Sequence, residues 1–77
     1  GYLDLGLSVF NSITAGTDPK RLIEGYFEHE ACDQKVLFAS VLVSSFVKLP
    51  PRHKKGKFDN IENMKRYFIE NQHFLEE

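Results

Sequence analysis

Gln34-Lys35-Val36-Leu37-Phe38-Ala39-Ser40-Val41-Leu42-Val43-Ser44-Ser45-Phe46-Val47-Lys48 is the stretch on which the fold turns, dense in apolar residues and free of glycine and proline. A run of this kind fits a buried strand or a buried helix, and Val36, Val41, Val43 and Val47 lean toward strand. Length decides for helix. A strand this long is uncommon, Asp33 stands where an N-cap belongs, and Leu49-Pro50-Pro51 reads as a stop, because proline disfavours helical backbone in the residue before it. The helix would be roughly 22 Å long, about the width of a small domain. Apolar side chains on nearly every side of it predict a buried central helix enclosed by the others.

Within this helix Ala39, Ser40, Val43 and Ser44 set small side chains one turn apart, a line along which a neighbouring helix can approach closely. Phe38, Leu42 and Phe46 pack elsewhere on its surface. Its serines need no catalytic explanation, since a helical hydroxyl bonds the carbonyl one turn back.

The rest of the 77-residue chain is read as cover for that helix, giving an all-α bundle of four helices at about 2–15, 19–29, 33–48 and 59–75 in one domain. Tyr2 to Ala15 carries both strand and helix spacing. Helix is favoured because a lone strand would find no partner elsewhere in the sequence. Ala15-Gly16 ends it. Thr17-Asp18-Pro19 opens the second helix, with Leu22, Ile23, Tyr26 and Phe27 as its inward stripe. Gly25 inside it marks either a close contact or an early end. Asp59 and Glu62 have capping-box spacing for the last helix, whose stripe is Ile61, Met64, Phe68 and Leu75 with Tyr67 and Phe74 beside it.

Between the third and fourth helices, residues 50–57 read as a basic loop in which Arg52, Lys54, Lys55 and Lys57 surround His53 without an acid. Such a cluster engages phosphates by releasing condensed counterions, although no aromatic residue lies within it to stack on bases. Its plainer reading is a solvated linker.

Other chemistry finds little support. His29 and Cys32 are half of a metal site with no matching partners, Glu28 and Glu30 point to different sides of a helix, and the glycines form no phosphate loop. No family signature surrounds Cys32, which reads as a small buried hydrophobe. The expectation is therefore no enzyme, no cofactor and no metal. A single cysteine fits a reducing compartment, so an intracellular (cytoplasmic or nuclear) location is expected. No apolar run reaches the ~20 residues of a membrane span, so membrane insertion is not expected. The initial Gly1, in place of methionine, suggests a domain excised from a longer protein.

Seven phenylalanines and three tyrosines are a large aromatic content for so short a chain. A core of this size does not need all of them, and contiguous apolar surface on a small domain marks a partner site. The sequence thus points to a protein–protein interaction module. Its groove, bordered by the second and last helices and anchored by Tyr26, Phe27, Tyr67 and Phe74, would take an apolar helix, a short motif or a second copy of the chain. The alternative is contact with RNA or another phosphate-bearing partner through residues 52–57.

Overall fold

The computed structural model describes residues 1–28, 31–56 and 61–76, and these form an all-α bundle. Its elements are α1 (Tyr2–Thr14), α2 (Lys20–Tyr26), α3 (Gln34–Lys54) and α4 (Ile61–Asn71), followed by a 3-10 turn, Gln72–Leu75. His29, Glu30, Lys57, Asp59 and Glu77 lie outside the described residues, and with them the cap expected at Asp59 and half of the His29–Cys32 pair.

The first helix settles as helix because its apolar residues fall on one face. Leu5, Val9, Phe10 and Ile13 are buried, and they meet Leu37 and Val41 of α3 and Met64 of α4 in one cluster. Alternation along Leu3, Leu5 and Leu7 carries no weight, since Leu3 is exposed. Gly16 ends α1 as expected, in left-handed conformation at φ 81°. The Gly16 amide donates to the Ile13 carbonyl and the Thr17 amide to that of Ser12, which satisfies two of the helix's last carbonyls.

Helices α1 and α3 run in the same direction. The Tyr2 hydroxyl accepts from the Asp33 amide at one end, and Arg52 reaches Asn11 and Thr14 at the other. Between these ends the two backbones come close at Gly6. A Cβ built there would lie 2.6 Å from Ser40 Cβ and 2.7 Å from the Ser40 carbonyl carbon, so only glycine allows this approach. Of the line foreseen through Ala39, Ser40, Val43 and Ser44, Ser40 lies at this approach and Ser44 is buried one turn on, whereas Ala39 and Val43 turn outward and stand exposed. Ser40 and Ser45 donate to the Val36 and Val41 carbonyls at 2.9 Å, one turn back. Asp33 caps the helix, accepting from the Val36 amide at 3.2 Å.

The expected stop at Pro50-Pro51 is not where α3 ends. It continues to Lys54, so residues 50–54 belong to a helix and not to the loop expected over 50–57. The prolines remove the donors that the Phe46 and Val47 carbonyls would use. Tertiary contact holds the turn beyond them. The Arg52 guanidinium donates to Thr14 Oγ1 at 3.3 Å and Asn11 Oδ1 at 3.2 Å, and lies 4.9 Å from the centre of the Phe10 ring. The terminator is Gly56, at φ 73°, whose amide donates to the His53 carbonyl.

Helix α2 is shorter than the expected 19–29. Asp18 Oδ1 takes the Lys20 amide at 2.9 Å, and the helix closes at Tyr26, one residue after Gly25. Nothing lies within 4 Å of a Cβ built at Gly25, so the early end, and not a close contact, is what that glycine accompanies. None of its expected inward residues is fully buried. Ile23 and Phe27 rest on the core, while Leu22 and Tyr26 are exposed. In α4, Met64 is buried as expected, and Glu62 pairs with Lys65 at 3.1 Å. Leu75 turns out to be exposed, because the chain leaves α-helical geometry after Asn71 and the 3-10 turn rotates it off the stripe.

Candidate partner-binding surface

Helix α3 is the longest helix, but it is not enclosed. Its buried side, Leu37, Phe38, Ser40, Val41, Ser44 and Ser45, faces the bundle. The opposite side stands in solvent. Val36 is 41% exposed, Val43 49%, Val47 60% and Phe46 78%. Ala39 and Pro50 are exposed between and beyond them. The positions 36, 39, 43, 46 and 50 alternate steps of three and four, the spacing of a seam that receives another helix. Beside this seam Leu42, Ser45, Phe46, Leu49, Pro50 and Phe68 of α4 enclose an almost wholly apolar dent of about 200 Å³.

The four aromatics expected to anchor a partner divide into two separate groups. Tyr26 and Phe27 gather with Tyr2, at ring separations of 5.0 Å for Tyr26–Phe27 and 5.5 Å for Tyr2–Phe27, and the Tyr26 hydroxyl donates to the Gly1 carbonyl. Tyr67 and Phe74 instead surround the buried ring of Phe38, at 5.9 and 6.1 Å, with Phe68 at 6.2 Å. Tyr67, Phe68 and Phe74 are half-buried in that cluster. A cleft of about 300 Å³ does lie between the start of α2 and α4, lined by Ile13, Pro19 and Tyr67 together with Thr17, Asp18, Asn63, Arg66 and Glu70, so that of the four expected anchors only Tyr67 reaches it.

Burial pushes the Tyr67 phenol up to about 12, with the neighbouring Cys32 as a lesser cause. The Cys32 thiol is also raised, first by burial and then by the Asp33 carboxylate, the reverse of what activates a nucleophilic cysteine.

The basic residues regroup on folding. Lys48, Arg52 and Lys55 fall one turn apart along α3 and its cap and line a cleft of about 790 Å³ with Asn11, Thr14 and Ala15, with no acid among its described walls. Lys54 is not part of that cleft. These cations crowd the C-terminal ends of α1 and α3, where positive charge complements the helix dipole. Arg52, the most buried of them, is committed to Asn11, Thr14 and Phe10.

The exposed seam was present in the sequence as heptad spacing within Val36–Pro50. Spacing alone does not separate it from the core-facing residues, because apolar side chains lie on nearly every side of the stretch. No described helix is long and apolar enough to cross a membrane. No protein-family model matches the chain, and neither does any curated protein or solved structure.

Proposed function

We propose that the chain is a non-catalytic protein–protein interaction module that accepts an apolar helix along the outer face of α3, with Val36, Val43, Phe46 and Val47 as its contacts. The observation that carries this reading is Phe46, a phenylalanine left 78% exposed in the middle of a seam of heptad spacing. A scattered surface leucine needs no explanation, whereas five apolar positions in register along one helix do. The apolar dent beside Phe46 offers a socket for a side chain of the incoming helix.

Nuclear magnetic resonance shift mapping tests it, with a synthetic amphipathic helix carrying leucine at its a and d positions as probe. Shifts should concentrate at Val36, Val43, Phe46 and Val47. Shifts confined to Tyr26, Phe27, Tyr67 and Phe74, or no shifts at millimolar peptide, refute the assignment.

A polyanion bound at the cleft of Lys48, Arg52 and Lys55 is a second reading, favoured by the acid-free wall. Affinity for single-stranded RNA that falls steeply with salt supports it, and affinity indifferent to salt removes it.

A further inference from the structure

We infer that the helix received by this face is α3 of a second copy, lying antiparallel, so that the chain forms a reversible two-fold dimer. This rests on the reading of the α3 face as a helix-binding seam and adds the identity of its occupant.

Three features select a twin. The first is shape. In an antiparallel pair with the two-fold axis near Val43, the protruding ring of Phe46 from one copy comes over the half of the seam that holds Val43 and Ala39 in the other. A large side chain thus meets small ones on both sides of the axis. A parallel pair would instead set Phe46 against Phe46 and leave the small positions facing each other.

The second is charge. One end of the bundle carries Asp4 in the first turn of α1 and Asp33 at the head of α3, brought together where the Asp33 amide meets Tyr2, along with Glu28 after α2 and Glu76 after the 3-10 turn. Against them stand two cations, Lys35 and the Gly1 ammonium, which pairs with Asp4 at 3.7 Å. The other end carries Lys48, Arg52, Lys54 and Lys55. Acids therefore outnumber cations at the first end, and cations predominate along the last turns of α3. Antiparallel pairing brings the basic end of each copy to the acidic end of the other, whereas parallel pairing packs both basic ends together.

The third is size. From Val36 to Pro50 the seam is roughly 20 Å long and about one helix wide, which with the neighbouring dent offers on the order of 500 Å² per copy. Twice that area lies at the small end of specific interfaces, where association is weak and reversible. A dimer with a dissociation constant on the order of 10 μM is therefore expected, not a permanent one.

Sedimentation equilibrium from 1 μM to 1 mM, with circular dichroism to verify folding, is the first test. The wild type should pass from monomer to dimer across that range, and Phe46→Glu, whose side chain already stands in solvent, should remain folded while losing about 30-fold or more in dimer affinity. Orientation is read by air oxidation in a Cys32→Ser background. A mixture of Val36→Cys and Pro50→Cys chains, positions that face each other across an axis at Val43, should yield the mixed disulfide in preference to either homodimer. A wild type monomeric at 1 mM, a dimer unaffected by Phe46→Glu, or a mixture in which two Val36→Cys chains link predominantly to each other overturns the proposal. A monomer whose α3 face still shifts on adding the leucine-patterned peptide overturns the twin alone and leaves the module reading standing.

Discussion

Replacing Gly6 by alanine adds one methyl group, and the structure sets the outcome against the usual direction. In an unencumbered helix the change stabilises by about 1 kcal/mol. Here the new Cβ would stand 2.6 Å from Ser40 Cβ, 2.7 Å from the Ser40 carbonyl carbon and 2.9 Å from its oxygen. Two of those atoms are backbone, so no rotamer change relieves them. Helices α1 and α3 must part until the 2.6 Å contact passes 3.4 Å, where ordinary contact begins. A gap of roughly 0.5–1 Å forfeits about a quarter to a half of each dispersion contact along the seam, and that seam holds Val9, Phe10, Leu37 and Val41. Overpacking costs about 1–3 kcal/mol, and the upper end applies where backbone is struck. Offset by the propensity gain, the net loss is about 2 kcal/mol, or roughly 30-fold in the ratio of folded to unfolded chain. Urea unfolding followed by circular dichroism should show the midpoint about 1–2 M lower than wild type. Gly25→Ala is the matched comparison. With nothing within 4 Å of its Cβ it should stabilise by about 0.5–1 kcal/mol. A Gly6→Ala protein as stable as wild type, or both variants shifting in the same direction, refutes the close approach of α1 and α3.

Three further perturbations separate structural from surface roles. Arg52→Ala should lower stability by about 1–2 kcal/mol in urea unfolding, through lost bonds to Asn11 and Thr14 and lost stacking on Phe10, whereas Lys54→Ala should stay within about 0.5 kcal/mol of wild type. Phe38→Ala removes the ring shared by Tyr67, Phe68 and Phe74 and should cost about 3–5 kcal/mol, enough to unfold much of the population at 37 °C by circular dichroism. Tyr67 gives a pH signature. Its phenol titrates at about 12 in the folded protein against the usual 10.0, so the unfolded chain releases that proton first and stability is lost as pH rises between those values. Urea midpoints from pH 9 to 12 should therefore fall less for Tyr67→Phe than for wild type.

Much of the architecture was legible because it rests on local rules. Gly16 and Asp33 end and start their helices by the conformational freedom and side-chain oxygen for which the sequence singled them out. The Pro50-Pro51 stop failed because a local rule met a tertiary one: Arg52, tied to α1, keeps the chain helical past the prolines. Nothing near Arg52 in the sequence announces Asn11 and Thr14 as its partners. Burial was the harder inference. Val43 and Phe46 are as apolar as Val41 and Phe38, and composition alone could not tell which of them α1 and α4 would cover. The number of covering helices, too few to surround α3, decides it. The aromatic content goes partly into the core, where Phe10 and Phe38 are buried and Phe27 and Tyr67 pack against it, and the grouping of Tyr26, Phe27, Tyr67 and Phe74 around Tyr2 and Phe38 depends on how α2 and the last turn close.

The shared direction of α1 and α3 bears on how the chain comes to fold at all. Two helices joined by a tight turn can zip together as neighbours, but Gly6 must find Ser40 across roughly thirty intervening residues. Compared with a five-residue turn, closing that loop costs about 1.5 kcal/mol more in chain entropy before any side chain is buried. During synthesis the apolar face of α1 would therefore wait uncovered until α3 had cleared the exit tunnel, so that this bundle can close only once Val41 and its neighbours are free.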